Sequence, residues 1–236
     1  MGKILTPAGR PFGALIFDLD GTLIDSAPDV CAAINRALAG HGRRRITLAE
    51  AKALIGQGAR VLSERALALT GRSGAPDEIE SLVEAFIASY TERPVEHTVV
   101  YPGAREALRG FRAAGLRLAI CTNKPKATTT PVMATLGLDG FFDVVSCGDQ
   151  VPHRKPDARH VLGVIEELGT MPATTAMIGD SENDIAAARA AGVLSVAVTF
   201  GYAHLPYPEL GADALIDRFE ELPEALRMIA AKRKTA

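Results

Sequence analysis

Residues 17–23, which read FDLDGTL, constrain the fold of this chain more than any other segment. They end the apolar run Ala14–Phe17 with two carboxylates, Asp18 and Asp20, which the two-residue period of a strand sends to one side. Gly21 permits a sharp turn where a side chain would obstruct it. Two acids so close repel each other, so that either one holds a proton or a cation neutralises both. The alternative without chemistry is an Asp-Gly turn between two elements.

Three later segments place polar side chains at the end of a strand or at the start of a helix. Residues 116–121 lead into Thr-Asn-Lys at 122–124, residues 175–178 lead into GDSEND at 179–184, and Arg-Lys-Pro at 154–156 opens a helical stretch. In an open parallel sheet, ligands bind beyond the carboxyl ends of the strands. We therefore expect these three loops and the first acidic loop to meet at one edge of a sheet.

Strand-like and helix-like segments alternate from residue 103 onward. Such alternation is typical of an α/β fold, in which helices cover a parallel sheet. We therefore predict a Rossmann-like parallel sheet core flanked by helices. The predicted strands after the first are residues 116–121, 144–146, 175–178, 194–198 and 214–216, and the predicted helices, each followed by a glycine, are residues 104–114, 127–136 and 183–191.

Residues 26–93 have a different texture, because they read as successive helices without a clear strand. Ser26 followed by Pro28 predicts a helix start, and Thr47 with Glu50 fits a capping box. The position of this segment directly after the first acidic loop suits a lid over a site, and an ordinary N-terminal helical domain is the alternative. The predicted domains are an α/β core of residues 1–24 and 95–236 and a small inserted all-helical cap domain of residues 25–94.

The composition disfavours several classes of partner and of site. Acidic residues outnumber basic ones by only 28 to 26, so we expect no nucleic acid and no membrane as partner, and we predict a small-molecule ligand. The three cysteines are odd in number and widely spaced, which disfavours a disulfide framework and a four-cysteine zinc site. Asp18 interrupts the first apolar run, so neither a signal peptide nor a membrane span is expected. We predict a cytoplasmic protein that is a monomer or a homodimer.

Taken together, the four segments resemble the motifs of the haloacid dehalogenase superfamily phosphatases. The first motif falls at residues 18–22, the second at Thr122, the third at Lys155 and the fourth at residues 180–184, so the resemblance spans nearly the whole chain. It implies hydrolysis of a phosphate ester and a small helical cap over the core. Dehalogenation is disfavoured, because a dehalogenase needs no acid at the position of Asp20 to protonate an alcohol leaving group.

The resemblance implies a role for each acid of the first and fourth motifs. Asp18 would attack phosphorus and form an aspartyl-phosphate, and Asp20 would protonate the leaving alcohol and then deprotonate the incoming water. A Mg²⁺ ion would be held by Asp18, the main-chain carbonyl of Asp20, and Asp180. Asp184 would orient bound water or a ligand without touching the metal, or it would be a favourable acid in the first turn of a helix.

The resemblance also implies the groups that bind the phosphoryl oxygens. Thr122 would donate a hydrogen bond, and Lys155 would place a positive charge against both the nucleophile and the phosphate. A strand-end threonine and a surface lysine are the alternatives without function. The predicted substrate-binding residues from these loops are Gly21, Thr122, Asn123 and Lys155, and Lys124 and Arg154 are further candidates.

A narrower resemblance concerns the substrate. Residues 55–62, residues 64–67 and Phe-Gly-Tyr at 200–202 are similar to the corresponding parts of phosphoglycolate phosphatases, although residues 203–206 depart from a glycine-rich continuation. The resemblance implies hydrolysis of 2-phosphoglycolate to glycolate and phosphate, with Arg60 in contact with the substrate carboxylate. A solvated helix arginine is the alternative for this residue.

Other functions remain as alternatives at this point. Within the same fold they are another phosphatase of the superfamily, including a sugar phosphatase, a pyrophosphatase or a phosphoglucomutase. The alternative of another class is a non-catalytic phosphate-binding regulatory protein, against which the full acidic set argues.

Overall fold

Short apolar runs form the strands of this protein, and amphipathic segments between them form the helices. The structure is a computed structural model that describes residues 12–235. The strands are β1 (Ala14–Phe17), β2 (Ile24–Asp25), β3 (Val99–Val100), β4 (Arg117–Thr122), β5 (Val144–Cys147), β6 (Thr175–Gly179), β7 (Leu194–Val198) and β8 (Ala214–Ile216). The helices are α1 (Ala27–Gly40), α2 (Leu48–Lys52), α3 (Gly58–Thr70), α4 (Pro76–Glu92), α5 (Ala104–Ala113), α6 (Lys126–Thr135), α7 (Ala158–Glu167), α8 (Glu182–Ala190) and α9 (Leu222–Thr235).

Six of the strands form one parallel sheet in the order β5-β4-β1-β6-β7-β8. Ile16 in β1 pairs with Ala119 in β4 and with Met177 in β6. Helices connect the strands, so the predicted Rossmann-like α/β fold is confirmed. The order places β1, β4 and β6 side by side at the centre, and the carboxyl ends of these three strands carry the first, second and fourth motifs.

Strand β1 is buried on both faces of the sheet, as expected for a continuous apolar run in a parallel sheet. Leu15 and Phe17 belong to the larger apolar cluster, whereas Ala14 and Ile16 belong to the cluster on the other face. The alternation continues one residue further, so that the chain leaves the core at Asp18. Burial of its neighbours therefore fixes the position of this carboxylate.

Helices α1 to α4, residues 27–92, follow one another between β2 and β3, and we call them the helical insert. The predicted capping box is confirmed, because Thr47 Oγ1 accepts from the Glu50 amide at 3.2 Å and the Glu50 carboxylate accepts from the Thr47 amide at 2.7 Å. Helix α1 begins after Ser26, as predicted, but the Ser26 hydroxyl does not cap it. This hydroxyl donates instead to Asp20, whose ionisable carboxyl group is the stronger acceptor.

Two passages of chain join the helical insert to the sheet, and they lie side by side. Strands β2 and β3 pair antiparallel, with Ile24 opposite Val100. Beside them, the carboxylate of Asp29 in α1 accepts from the amides of residues 96, 97 and 98 at 2.8–3.0 Å and from the Thr98 hydroxyl at 2.6 Å. Burial alone would raise the pKa of Asp29, but these hydrogen bonds outweigh burial and hold the pKa below its usual value.

No helix within residues 12–235 combines the length and the apolar character needed to cross a bilayer. Cys31, Cys121 and Cys147 are free thiols, and the last two are buried.

Candidate active site

Three carboxylates from two distant loops meet at the carboxyl edge of the sheet. Asp18 follows β1, Asp180 follows β6, and Asp184 lies in the first turn of α8. Each offers one oxygen, and these oxygens all lie within 4.8 Å of one another. All three residues are buried, so their charges are poorly screened by water. The expectation that the first and fourth motifs meet at one sheet edge is therefore confirmed.

Lys155 supplies a positive charge to this acidic group. Its Nζ lies 2.9 Å from Asp18 Oδ1 and 2.6 Å from Asp184 Oδ1, and it donates to the main-chain carbonyl of Cys121 at 2.5 Å. Burial alone would lower the pKa of Lys155, but the carboxylates of Asp18 and Asp184 outweigh burial and raise this pKa. The ammonium is therefore charged at neutral pH and fully engaged by neighbouring oxygens.

The charges of the three acids exceed what Lys155 alone can neutralise. Burial raises the pKa of Asp18 to about 6, although Lys155 opposes this rise and Asp184 adds to it. Burial, Asp184 and Asp18 together raise the pKa of Asp180 well above its usual value. Repulsion between neighbouring carboxylates is thus an unrelieved cost of this arrangement.

A divalent cation fits this donor set. Asp18 Oδ1 is buried and lies within ion-pair distance of Lys155, but it makes no hydrogen bond with proper geometry. A buried carboxylate oxygen without a hydrogen bond, next to a second carboxylate at Asp180, offers hard oxygen ligands of the kind that Mg²⁺ prefers. The residues present therefore match the metal expected from the sequence.

Both carboxylate oxygens of Asp180 accept hydrogen bonds that hold the side chain in place. Oδ1 accepts from the Thr22 hydroxyl at 3.0 Å, and Oδ2 accepts from the Tyr202 amide at 2.7 Å. Gly21 has a φ of +84°, and a Cβ at this position would collide with the Asp180 carboxylate and the Tyr202 ring. Gly21, predicted to bind substrate, does not line the cavity described below, and its amide donates to the Ile24 carbonyl at 2.8 Å.

Asp184 is the acid in the first turn of a helix that the sequence suggested as one alternative, and it also contacts Lys155. Its Oδ2 accepts from the amides of Asp180 and Ser181 at 3.2 and 3.0 Å and from the Ser181 hydroxyl at 2.7 Å, which completes a capping box at the start of α8. Its Oδ1 accepts from Lys155. Asp184 therefore fixes both the loop that carries Asp180 and the position of the Lys155 ammonium.

Asp20 faces a different set of partners from the other acids. Its Oδ1 accepts from the Ser26 hydroxyl at 2.5 Å, and Lys124 Nζ lies 3.2 Å from each of its two oxygens. Lys124 also contacts the Tyr90 hydroxyl at 3.2 Å and lies 4.3 Å from the centre of the Tyr90 ring. Burial alone would lower the pKa of Lys124, but Asp20 and Tyr90 outweigh burial and raise it. Asp20 is thus oriented by the hydroxyl of Ser26, just before α1, and by the ammonium of Lys124, in the loop after β4.

Thr122 and Asn123 follow β4 and lie between the acidic group and the helical insert. The Thr122 hydroxyl accepts from the Lys124 amide at 3.2 Å, and its own hydrogen remains available to a ligand in the cavity. Asn123 Nδ2 donates to the carbonyl of Gly56 in the helical insert and to that of Lys155, both at 2.9 Å. Asn123 therefore connects three separate segments around the site.

A cavity lies between these loops and the helical insert. It encloses about 490 Å³, part of it open to solvent. From the core side it is lined by Asp18, Asp20, Thr122, Asn123 and Lys124. The helical insert contributes an apolar wall of Val30, Ile55, Ala59, Leu62 and Phe86, together with Gly56 and Gly58.

The structure places Arg60 away from the cavity lining. Its guanidinium pairs with Glu80 on the surface of the helical insert, where about half of each side chain is exposed. Arg154 is also exposed and does not line the cavity. Helix geometry explains the position of Arg60, because α3 turns its apolar residues Ala59 and Leu62 toward the cavity and turns its arginine away.

Sequence reasoning missed Ser26 and Tyr90, which contact Asp20 and Lys124 at the site. Ser26 has the ordinary signature of a helix cap, and Tyr90 continues the apolar stripe of α4 that includes Leu82 and Phe86. A tyrosine on such a stripe is typical of a core position. The polar hydroxyl at the end of the stripe was the only available signal.

Comparison with known proteins agrees with this geometry. Residues 12–192 match the family model of the haloacid dehalogenase-like hydrolases. The chain is 44% identical over 218 residues to a phosphoglycolate phosphatase of Agrobacterium fabrum, covering 92% of this chain and 94% of that one. It is 41% identical over 217 residues to a phosphoglycolate phosphatase of Cereibacter sphaeroides, covering 92% and 99% of the two chains.

The fold is also similar to solved structures. A crystal structure of a predicted phosphoglycolate phosphatase from Haemophilus somnus superimposes with a TM-score of 0.87 at 31% identity, covering 91% of this chain and 98% of that one. With four loops at one sheet edge and relatives of this identity and coverage, the chain belongs to the haloacid dehalogenase-like hydrolases and is a phosphatase.

Proposed function

We propose that this phosphatase hydrolyses 2-phosphoglycolate to glycolate and phosphate, through an aspartyl-phosphate on Asp18 and with Mg²⁺ as cofactor. The observation that carries the chemistry is the meeting of Asp18, Asp180 and Asp184 around one lysine. The substrate is supported by the relatives of 41–44% identity, which are phosphoglycolate phosphatases.

In the first half of the reaction, a carboxylate oxygen of Asp18 forms a bond to phosphorus while the bond from phosphorus to the ester oxygen breaks. Asp20 gives its proton to that oxygen, so the alcohol leaves neutral. The Ser26 and Lys124 contacts hold the Asp20 carboxyl group at the cavity, on the side where the leaving group must lie. One difficult hydrolysis is thereby divided into two transfers.

In the second half, water attacks the phosphorus of the aspartyl-phosphate and Asp20 accepts its proton. The bond from phosphorus to Asp18 breaks, and inorganic phosphate and the free carboxylate are regenerated. Lys155 and the Thr122 hydroxyl stabilise the negative charge of the phosphoryl oxygens in both halves. Asp18, the main-chain carbonyl of Asp20, and Asp180 would hold Mg²⁺, which when bound would supply further charge neutralisation.

The cavity favours a small substrate. A sugar phosphate carries several hydroxyl groups that need hydrogen-bond partners when buried, and the wall of Val30, Ile55, Leu62 and Phe86 offers none. This argues against a sugar phosphatase or a phosphoglucomutase. Phosphoglycolate has a single methylene between its ester oxygen and its carboxylate, and the apolar wall suits that short leaving group.

The domain division belongs to the same proposal. We propose that residues 25–94 form a cap domain over a core of residues 1–24 and 95–236, of which residues 1–11 lie outside the described part of the chain. The hydrogen bond from Asn123 to the Gly56 carbonyl and the contact of His204 Nε2 with the Ala53 carbonyl at 2.9 Å support closure of this cap over the site. A cytoplasmic location and a monomeric or homodimeric state remain predictions, and light scattering on the purified protein tests the latter.

The decisive experiment measures phosphate release by metal-replete protein and by its Asp18→Asn variant. The panel contains 2-phosphoglycolate, glucose 6-phosphate, pyrophosphate and para-nitrophenyl phosphate. We expect a clear preference for 2-phosphoglycolate and loss of turnover in the variant, whose folding is checked by thermal melting. Normal turnover by a folded Asp18→Asn protein would exclude the covalent mechanism. Metal-dependent binding without release from any ester would favour a regulatory protein.

A further inference from the structure

Lys124 is the cation that faces the substrate side of the cavity. Among the side chains that the structure describes, it is the only lysine, arginine or histidine that lines this space. It is 8% exposed, so that its ammonium contacts protein atoms rather than bulk water. The rest of the wall from the helical insert is apolar. A second anionic group on a substrate would therefore find one partner here.

We propose that the Lys124 ammonium binds a carboxylate carried by the leaving group, one carbon away from the ester oxygen, and that this contact selects the substrate. The inference rests on the function proposed above and deepens it. It assigns to Lys124, a residue of the loop after β4, the recognition that the sequence suggested for Arg60.

The other nearby cations are not available for this task. Lys155 lies within 2.9 Å of Asp18, Asp184 and the carbonyl of Cys121, beside the nucleophile, and it does not line the cavity. Arg60 pairs with Glu80 on the surface, and Arg154 is exposed outside the cavity lining. Elimination therefore leaves Lys124.

The position of Lys124 relative to Asp20 fits the length of the leaving group. Asp20 must reach the ester oxygen to protonate it, and the ammonium lies 3.2 Å from both Asp20 oxygens. A carboxylate joined to the ester oxygen through one methylene spans a similarly short distance. An anionic group further along a longer leaving group would instead project against the apolar wall.

Tyr90 and Asp20 hold the ammonium of Lys124 through long contacts. Lysine has three N–H donors on a flexible stem. Its contacts with the two Asp20 oxygens and the Tyr90 hydroxyl are all 3.2 Å long, longer than the 2.5–2.9 Å contacts of Lys155, so one of them can give way to a substrate carboxylate. The Tyr90 ring lies against the ammonium and limits its movement. The site is therefore organised before the substrate arrives.

The test compares two substrates that differ in the carboxylate. Steady-state kcat/KM is measured for 2-phosphoglycolate and for ethyl phosphate, which has the same carbon, oxygen and phosphorus chain without the carboxylate oxygens. Each variant is compared with wild type on the same substrate, so the different reactivities of the two esters cancel. We expect Lys124→Met to lower kcat/KM by about 100-fold on 2-phosphoglycolate and by less than about tenfold on ethyl phosphate.

Three further variants make the comparison specific. Lys126→Met removes a nearby exposed lysine at the start of α6 and should leave both substrates unaffected. Lys124→Arg keeps the charge and should retain part of the selectivity, and it remains informative if the methionine variant fails to fold. Arg60→Met examines the rival residue, and a selective loss of 2-phosphoglycolate turnover in this variant would overturn the proposal.

An equal loss on both substrates in Lys124→Met would also overturn it, because Lys124 would then act only on the chemistry that the two reactions share. Wild-type protein that shows no preference for 2-phosphoglycolate over ethyl phosphate would contradict the proposed substrate itself. That result is obtained before any variant is made, so the failure of the proposed function is distinguished from the failure of this inference.

Discussion

Asp184 and Lys155 form an ion pair at 2.6 Å in which both side chains are almost completely buried. The same ammonium lies 2.9 Å from Asp18, so Asp184 determines where the positive charge stands relative to the nucleophile. Asp18 and Asp184 thus share the charge of one lysine. Asp184 therefore affects the reaction of Asp18 through Lys155, without taking part in that reaction itself.

We expect Asp184→Asn to lower the free energy of unfolding by roughly 1.5–3 kcal/mol, because the charged hydrogen bond with Lys155 is lost while Asp18 still neutralises the ammonium. Urea denaturation at neutral pH measures the change. Glu80→Gln, which breaks the exposed pair with Arg60, is the matched control and should cost about 1 kcal/mol or less. Equal effects of the two substitutions would contradict the importance assigned to the buried pair.

Gly21 is the position where the backbone and the site constrain each other most tightly. Gly21→Ala introduces a Cβ that collides with the Asp180 carboxylate and Tyr202, and we expect a marked loss of phosphatase activity and of thermal stability. Gly42→Ala is the matched control, because Gly42 has a similar φ of +65° but no neighbouring atom within 4 Å. The difference between the two variants isolates the collision from the cost of the backbone conformation, about 1–2 kcal/mol. Identical losses would show that the collision has no effect.

Asp29 stabilises the folded protein at neutral pH and loses this effect at low pH. Its pKa is lowered in the folded protein, so its contribution is complete above the unfolded value near 3.8 and is lost as the pH falls through the lower folded value. At neutral pH, Asp29→Asn should cost about 3 kcal/mol, because hydrogen bonds to a charged acceptor are lost. The difference between wild type and variant, measured by denaturation from pH 7 to pH 2.5, should shrink only in the acidic part of this range. A constant difference would exclude an ionised Asp29 as its source.

His160 also makes the stability of the fold depend on pH. It does so in a higher pH range than Asp29, and the cause is burial of the imidazole. The residue is buried, its Nε2 contacts the Ser146 hydroxyl at 3.0 Å, and its Nδ1 has no hydrogen-bond partner. Burial, helped by the charge of Lys155, lowers the pKa of His160 from 6.5 to about 4. The unfolded chain therefore takes up the proton first as the pH falls.

We expect the contribution of His160 to the free energy of unfolding to be complete above about pH 6.5 and to decline by up to about 3 kcal/mol as the pH falls toward 4. His160→Gln removes the titrating group, so the difference between the wild-type and variant profiles measures this decline. Parallel profiles for the two proteins would assign the acid sensitivity to other groups.

The sheet could be predicted from the sequence because its strands are buried runs bounded by polar loops. The first apolar run matches β1, and the predicted strands at residues 194–198 and 214–216 match β7 and β8. The predictions at 144–146 and 175–178 end one residue early, and that at 116–121 is shifted by one residue. Glycine after each of α5, α6 and α8 located those helix ends to within one residue. Strands β2 and β3 were missed, because two residues are too few to show a period of two.

The site could be predicted in part, for an identifiable reason. Asp18, Asp180 and Lys155 follow or adjoin strands of one parallel sheet, so topology alone brings them together. The contact of Lys124 with Tyr90 depends on how α4 packs over the core, and the pairing of Arg60 with Glu80 depends on how α3 lies beside α4. Neither packing follows from local periodicity. The sequence could therefore not show that Arg60 pairs with Glu80 or that Lys124 contacts Tyr90.

The antiparallel pair of β2 and β3, with Asp29 clasping the returning strand, joins the helical insert to the sheet along a single line. Because the two connecting segments are paired with each other, they resist twisting and sliding of the helical insert. The motion that they oppose least is a rotation of the insert about the line along which they lie. We expect a rotation about this line to carry the apolar wall of the cavity toward Asp18 and away from it.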